Sequence, residues 1–502
     1  MDILEQLKPL RESGGAVITR GLSDAILSQF AASHDALSQA VAAAVDVFAA
    51  LKNDYAEFLS LDEETQRAQV QEGIINFYAA DAVNPYVALA ARGPWIVTSK
   101  GAVIHDSGGY GMLGFGHNPP AVAEAMSRDQ VMANVMTGSF SQRRLLDALK
   151  QEIGHRRPDS APVFEHFLFL NSGSESVTAA ARLSDVNAKV MTDPGGRHAG
   201  KPIRILSLEG GFHGRTDRPA QFSDSSVRNY SRHLASFRDR ENLITVEPNN
   251  VAALHQIYSD ADANGEFIEA FFMEPVMGEG NPGQGITPQF YAAARQLTEQ
   301  HGSLLLVDSI QAGLRGHGCL SIVDYPGFET LPAPDMETYS KALNAGQYPL
   351  SVLAMNERAA GLYRSGIYGN TMTTNPRAMD VATAVLEMVT PEVRRNIRER
   401  GEEFLQKLNQ LAESQPGRIT NVQGTGLLFS CEVSPEYKAY GADSLEEYLR
   451  QRGIGVIHGG ENSLRFTPHF CIDGDEVDLV VAAVADALEN GPRRDMPLAQ
   501  AL

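Results

Sequence analysis

The sequence predicts an α/β protein whose large domain contains a mostly parallel β-sheet covered by helices. Short apolar runs recur between about residue 160 and residue 360, as in Phe167–Leu170, Ile203–Leu208 and Ser303–Asp308. Helical segments separate these runs, which is the order of elements in parallel sheets. The runs also lack a polar face, and strands buried on both faces of a sheet have this composition.

The rest of the chain indicates a second domain and a helical extension. A chain of 502 residues exceeds one ordinary domain. Residues 22–51 are alanine-rich with apolar residues at helical spacing, and the chain after about residue 385 alternates helical with strand-like runs. We therefore expect a smaller α+β domain formed by both chain ends. The predicted parts are a helical N-terminal extension at 1–83, the N-terminal part of the small domain at 84–130, the large domain at 131–385 and the C-terminal part of the small domain at 386–502.

Charge and composition exclude several kinds of partner. The net charge of −20 disfavours broad binding to nucleic acid or to anionic membranes. We find no apolar run of about 18 residues and no N-terminal signal pattern, so a membrane span or secretion is not expected. Three scattered cysteines, Cys319, Cys431 and Cys471, show neither metal-ligand spacing nor a disulfide framework. We expect a cytoplasmic protein without a metal site.

Two motifs that follow predicted strands are candidate binding elements, because ligands of parallel sheets bind at the carboxyl ends of strands. Asn171–Glu175 (NSGSE) opens a helix, and its small residues allow backbone N–H groups to approach a phosphate. Phe212 and His213 follow the next run, where an aromatic side chain could lie on a flat cofactor ring. Taken alone, the first is also compatible with an ordinary capped turn and the second with a core aromatic.

Two further motifs complete the pattern. Asp308 ends an apolar strand, where a carboxylate needs a partner such as a protonated pyridine nitrogen, and Gln311 could contact a ring oxygen. Lys341 lies among small residues, where desolvation would make its amine nucleophilic. A turn cap and a solvated lysine are the ordinary alternatives. The four motifs together, in this order along the chain, predict a cofactor site.

Three sequence blocks carry a resemblance to a known family. They are Glu274–Gly280 (EPVMGEG), Asp308–Gly313 (DSIQAG) and Ser340–Leu343 (SKAL). Supporting blocks are Asn84–Tyr86, Gly116–Pro120, Asn171–Glu175, Phe212–Thr216 and Gly369–Pro376. Over most of residues 84–480 the chain resembles the class III (omega-type) aminotransferases that depend on pyridoxal 5′-phosphate (PLP), which have PLP fold type I.

The resemblance implies PLP as the cofactor, bound by the large domain. Lys341 would hold PLP as a Schiff base and move the substrate proton, and Asp308 would hold the pyridine nitrogen. The other cofactor-binding residues that it implies are Gly173, Ser174, Phe212, His213, Ile310, Gln311 and Thr371. Thr371 would reach the phosphate of the neighbouring subunit, which implies a homodimer with shared active sites.

The resemblance also implies substrate contacts. Arg465 matches the arginine that binds an α-carboxylate, Glu279 matches the glutamate that can pair with it, and Tyr110 falls near the substrate pocket. A movable Arg–carboxylate pair would let one pocket accept both an amine donor and a 2-oxo acid, although a fixed structural salt bridge is the alternative. We expect ping-pong transfer from an omega-amino acid or diamine donor to a 2-oxo acid such as 2-oxoglutarate or pyruvate.

Departures from the family motifs leave alternatives open. Ser309 and Met277 replace the usual Glu and Gln, and Thr373–Thr374 replaces a glycine pair, so substrate choice is open. The same scaffold hosts decarboxylases, racemases, an aminomutase and phospho-lyases. A non-catalytic PLP-binding regulator is disfavoured because Lys341 is retained and the N-terminal segment is acidic.

Overall fold

The computed structural model describes residues 2–159, 161–238 and 240–495, and for Tyr110 the backbone alone. The α-helices are α1 Ile3–Arg11, α2 Asp24–Ala31, α3 Asp35–Ser60, α4 Glu63–Gln71, α5 Pro120–Ser127, α6 Phe140–Glu152, α7 Gly173–Thr192, α8 Asp217–Gln221, α9 Asp224–His233, α10 Val251–Ala263, α11 Pro288–His301, α12 Glu357–Ala360, α13 Pro376–Met388, α14 Pro391–Ser414, α15 Leu445–Gln451 and α16 Gly474–Asn490. The strands are β1 Ala88–Arg92, β2 Trp95–Thr98, β3 Val103–Asp106, β4 His166–Leu170, β5 Ile203–Leu208, β6 Leu243–Val246, β7 Phe267–Met273, β8 Leu304–Asp308, β9 Met336–Tyr339, β10 Ser351–Met355, β11 Ile419–Thr425, β12 Leu428–Val433, β13 Ile454–Gly455, β14 Ile457–Gly459 and β15 Ser463–Phe466. Within the described ranges, no helix has both the length and the apolar composition that crossing a membrane requires.

The chain forms two compact units. We call residues 121–398 and 424–428 the central unit, and the described residues among 1–120, 399–423 and 429–502 the terminal unit. Both chain ends contribute to the terminal unit. The four-part division made from the sequence stays a prediction.

A seven-stranded sheet forms the core of the central unit, in the order β4-β10-β9-β8-β7-β5-β6. The pairs from β6 through β9 are parallel, while β10 runs antiparallel to both β4 and β9. Every residue of β7 and β8 is buried. Because successive side chains point to opposite faces, both faces of these strands are covered. The mostly parallel sheet of the predicted fold class is confirmed.

The helix α7 illustrates why these segments fold as they do. Ser172 accepts a hydrogen bond from Glu175 N, and the Glu175 side chain returns to the cap backbone, which forms a capping box. Ala179, Ala180 and Ala181 are buried. Their small side chains allow the helix to approach the sheet closely, so the first turn of α7 is held at the end of β4.

In the terminal unit, the N-terminal helices are fastened to the turn between β2 and β3. Lys100 Nζ donates to Gly14 O at 2.6 Å and to Leu59 O at 2.9 Å. Gln66 Oε1 accepts a hydrogen bond from Ser99 Oγ at 2.6 Å. The alanine-rich segment 22–51 contains α2 and most of α3, so its helical prediction holds, with a break at residues 32–34.

The start of α16 is tied to β3 through a buried carboxylate. Glu476 Oε1 accepts hydrogen bonds from His105 Nε2 and His469 Nε2, both at 3.1 Å. Burial alone would raise the pKa of Glu476, but the two imidazoles lower it far below its usual value. The residues come from distant parts of the sequence, so this cluster joins both chain ends within the terminal unit.

A second buried carboxylate lies in the central sheet on β9. Glu337 Oε1 accepts from Ser309 Oγ at 2.6 Å and from Ile322 N at 3.0 Å, and Glu337 Oε2 accepts from Ser321 Oγ at 2.5 Å. Burial raises the pKa of Glu337 to about 7, although these hydrogen bonds oppose the shift. Ser309, one of the departures from the family motif, thus has a carboxylate partner on the next strand.

We expect Glu337→Gln to reduce the loss of stability that accompanies rising pH. The folded-state pKa of Glu337 is about 7, whereas its ordinary value is 4.5. Between these two pH values the folded state binds more protons than the unfolded state, so the free energy of unfolding falls as pH rises through this range. One such group contributes a slope of up to about 1.4 kcal/mol per pH unit. The measurement is the thermal midpoint of both proteins between pH 4.5 and about 7. Parallel pH profiles would contradict the prediction.

Candidate active site

A cavity of about 190 Å³ opens in the central unit, at the carboxyl ends of β4, β5, β7, β8 and β9. Its lining combines all four motifs singled out in the sequence. The lining residues are Ser172, Gly173, Ser174, Phe212, His213, Gly214, Glu274, Asp308, Ile310, Gln311, Ser340 and Lys341. The strand order therefore brings together residues that lie up to 169 positions apart in the chain.

The first turn of α7 provides an anion-binding element. Gly173 and Ser174 occupy this turn, where helix geometry leaves the backbone N–H groups without an intrahelical acceptor. A β-carbon on Gly173 would come within 2.6 Å of Ile310 Cδ1, so a larger residue would displace Ile310. The positive end of the helix dipole favours a phosphate here.

Asp308 ends β8 and is 4% exposed. Its carboxylate accepts from His213 Nδ1 at 2.9 Å and from Ile310 N at 3.2 Å. Since an ionised carboxylate only accepts hydrogen bonds, the Nδ1 of His213 carries the hydrogen. The pair can stabilise a positive charge on a ligand group that contacts the carboxylate.

Glu274 is a cavity residue to which the sequence interpretation gave no role, although it begins the EPVMGEG block. Its carboxylate accepts from Phe212 N at 3.0 Å and from Gly278 N at 2.8 Å, and so joins the ends of two strands. Burial raises the pKa of Glu274 to about 7; the nearby Asp308 raises it further, whereas His213 opposes the shift. Its position in a family motif was the signal that could have identified it. Ser172, Gly214 and Ser340 also line the cavity without having been predicted as site residues.

Lys341 lies directly after β9, at the start of a single 3₁₀ turn. Its φ of +47° lies in the left-handed region, which costs a residue with a side chain about 1–2 kcal/mol. Its Nζ donates to Gln311 Oε1 at 2.8 Å. Strained backbone that the surrounding fold maintains is typical of functional residues.

Two buried polar atoms in this cavity provide a test of whether a polar cofactor fits. Within the described part of the chain, neither Gln311 Nε2 nor His213 Nε2 has a hydrogen-bond partner. Buried polar atoms are rarely left unpaired in folded proteins. The cavity therefore combines an amine, a buried carboxylate, an aromatic ring, an anion-binding turn and unused polar groups, and these fit an aromatic cofactor that carries a phosphate.

The predicted substrate residues Glu279 and Arg465 belong to different units. Glu279, in the central unit, pairs with Arg215 Nη2 at 3.6 Å, and the guanidinium of Arg215 lies 5.1 Å from the ring centre of Phe212. Arg465 is buried on β15 of the terminal unit. Its predicted pairing with Glu279 stays a prediction, and the Tyr110 side chain lies outside the described residues.

Thr371 is exposed and does not line the cavity of its own chain. It lies in the turn that precedes α13, next to the exposed Met372. The predicted contact of Thr371 with a neighbouring subunit's cofactor is untested by these observations.

Known proteins share both the sequence pattern and the fold. Among curated relatives, the succinylornithine transaminase of Citrobacter koseri is 29% identical over 403 residues, covering 78% of this chain and 90% of the relative. The acetylornithine aminotransferase of Neisseria meningitidis serogroup B is 26% identical, covering 79% and 92%. An ornithine aminotransferase structure from Toxoplasma gondii, described with partial occupancy of PLP at its active site, superposes with a TM-score of 0.72 at 21% identity, covering 87% of this chain and 97% of that chain.

The family assignment rests on a match along most of the chain. The family model described as aminotransferase class-III matches residues 77–488. This range includes every sequence block that carries the resemblance. The chain therefore belongs to the class III aminotransferase family.

Proposed function

We propose that the cavity of the central unit holds PLP on Lys341 and that the enzyme takes its amino group from an omega-amino acid or a diamine. Class III aminotransferases depend on PLP and transfer an amino group to a 2-oxo acid, and this chain does the same as a member of the family. When bound, PLP supplies an electron sink for the carbanion formed at the substrate carbon. The observation that carries the proposal is the convergence of Lys341, Gln311 and Asp308 in one cavity.

We propose separate roles for the cavity residues in cofactor binding and in proton transfer. Lys341 Nζ would provide the amine that holds the cofactor, and once released it would move a proton from the substrate carbon to the cofactor carbon. Asp308, which is hydrogen-bonded to His213, would contact the pyridine nitrogen and favour its protonated form. The remaining contacts that we propose are Gly173 and Ser174 on the phosphate, Phe212 and Ile310 on the ring faces, and Gln311 on the ring hydroxyl.

The donor is proposed from the relatives and from three substrate residues. The names of these proteins denote acylated ornithine and ornithine, which retain one and two free amino groups respectively. We propose that Arg465 binds the α-carboxylate of the 2-oxo acid and that Glu279 pairs with Arg465 when this acid is absent. Tyr110 would form part of the pocket wall. The acceptor that we propose is 2-oxoglutarate or pyruvate. Decarboxylation, racemisation and phosphate elimination are not favoured, because these relatives are aminotransferases.

We also propose a homodimer in which Thr371 reaches the partner's cofactor phosphate. Segment 131–140 of the central unit presents large apolar side chains to solvent, with Met132 81%, Met136 89% and Phe140 82% exposed. Apolar clusters of this kind mark interaction surfaces. A second copy of the chain would bury this segment. A cytoplasmic location also stays a prediction.

Lys341→Ala is expected to leave the protein folded and to lower turnover by at least about 10³-fold, because no other group occupies its position. Lys150→Ala serves as the matched control, since Lys150 pairs with Glu165 at an exposed site. The measurement is a half-reaction in which single amines are added without a 2-oxo acid, and conversion of bound PLP to pyridoxamine phosphate is followed by absorbance and chromatography. Full conversion by the Lys341→Ala protein would refute the site.

Gly278→Ala is expected to weaken PLP binding by roughly tenfold, the effect of losing one hydrogen bond to a charged group. A β-carbon at Gly278 would lie 2.5 Å from Gln311 Oε1, the acceptor of Lys341 Nζ. The measurement is PLP occupancy by equilibrium dialysis. If the effect acts through Gln311, the double variant Gly278→Ala/Gln311→Ala binds no more weakly than Gln311→Ala. Additive losses would show another route.

Met136→Glu is expected to weaken self-association at least tenfold, because a charge would be buried at the proposed dimer surface. Light scattering coupled to size-exclusion chromatography over a dilution series measures the change. Val190→Glu, at an exposed apolar position on α7 away from segment 131–140 in sequence, is the control. Equal association of the Met136→Glu variant and wild type would place the interface elsewhere.

A further inference from the structure

We propose that Asn370 is a positioning residue for the cofactor site of the neighbouring subunit. Asn370 lies in the same turn as Thr371, and its side chain binds Glu175. Glu175 in turn organises the phosphate-binding turn of its own chain. The inference rests on the proposed homodimer, in which Thr371 reaches the partner's cofactor phosphate. The inference adds a residue that contacts neither cofactor, and it states that this residue acts on the partner's site.

Every polar group of the Asn370 side chain is engaged. Nδ2 donates to Glu175 Oε1 at 3.0 Å, and Oδ1 accepts from Met372 N at 3.0 Å. The backbone oxygen of Asn370 accepts from Thr373 Oγ1 at 2.8 Å and from Thr373 N at 3.2 Å. The oxygen of the Asn370 amide therefore closes the turn around Thr371, and the nitrogen of the same amide attaches this turn to Glu175.

The anchor is rigid because Glu175 is itself held. Its second carboxylate oxygen, Oε2, accepts from Asn171 N at 2.7 Å and from Ser172 N at 3.2 Å. These are the backbone groups that immediately precede Gly173 and Ser174 in the phosphate-binding turn. One carboxylate thus sets the position of two elements, the phosphate-binding turn of its own chain and the turn that carries Thr371.

The two elements would serve different cofactors in the dimer. The turn at Gly173 and Ser174 lines the cavity of its own chain, whereas Thr371 is exposed and lines no part of that cavity. The Glu175 contacts with Asn171 and Ser172 use Oε2 and do not involve the Asn370 amide, which binds Oε1. The effect of removing Asn370 is therefore expected in trans, on the partner's site, and not in cis.

Mixed dimers separate these two effects. One chain carries Lys341→Ala and a distinct affinity tag, and the other keeps Lys341, so borohydride reduction fixes PLP on the second chain alone. The reduced fraction of that chain, measured by mass spectrometry at increasing PLP concentrations, gives the affinity of a single defined site. Asn370→Ala is introduced either on the Lys341→Ala chain, in trans to the reporting site, or on the reporting chain, in cis.

We expect Asn370→Ala to weaken PLP binding about tenfold in trans, the scale of one hydrogen bond, and to leave it unchanged in cis. In trans, adding Asn370→Ala to Thr371→Val should cause no further loss, because Asn370 acts through Thr371. An equal loss in both arrangements, or a loss in cis alone, would show an ordinary structural role and overturn the inference. If Thr371→Val has no effect in trans, or if mixed dimers do not form, the proposed dimer fails and the inference fails with it.

Discussion

A buried carboxylate at the end of a central strand is the constraint on which the site depends. An ionised carboxylate at the depth of Asp308 is costly unless several donors satisfy it. His213 and the backbone of Ile310 supply two of these donors. They come from the ends of two different strands, so the order of the sheet decides which donors reach Asp308.

The neighbouring carboxyl group of Glu274 limits the negative charge that collects around Asp308. Burial raises the pKa of both Glu274 and Glu337 to about 7, so each can carry a proton near neutral pH. Each has a structural task as well, since Glu274 joins the ends of two strands and Glu337 accepts from Ser309 on the adjacent strand.

Much of this arrangement could be predicted from the sequence. The apolar runs predicted β4, β5 and β8, because a strand buried on both faces has no alternation of polar residues. The cofactor residues predicted from the family blocks, other than Thr371, line one cavity. The sequence did not predict three features of the site. These are the hydrogen bond between Lys341 and Gln311, the ion pair of Arg215 with Glu279, and the position of Glu274 in the cavity wall. Side-chain pairs of this kind depend on which loops are in contact in the folded protein, and the spacing of residues along the chain does not predict these contacts.

The sequence by itself determined which chemistry is available and where along the chain it lies. Local composition decides which segments become buried strands, and strands in a parallel sheet place the residues that follow them at one edge. Only the tertiary structure decided that β10 inserts antiparallel between β4 and β9, that Lys341 adopts a left-handed backbone, and that Asn370 binds Glu175. These features arise from contacts between residues far apart in the chain, whose free energies depend on distances that no local pattern contains.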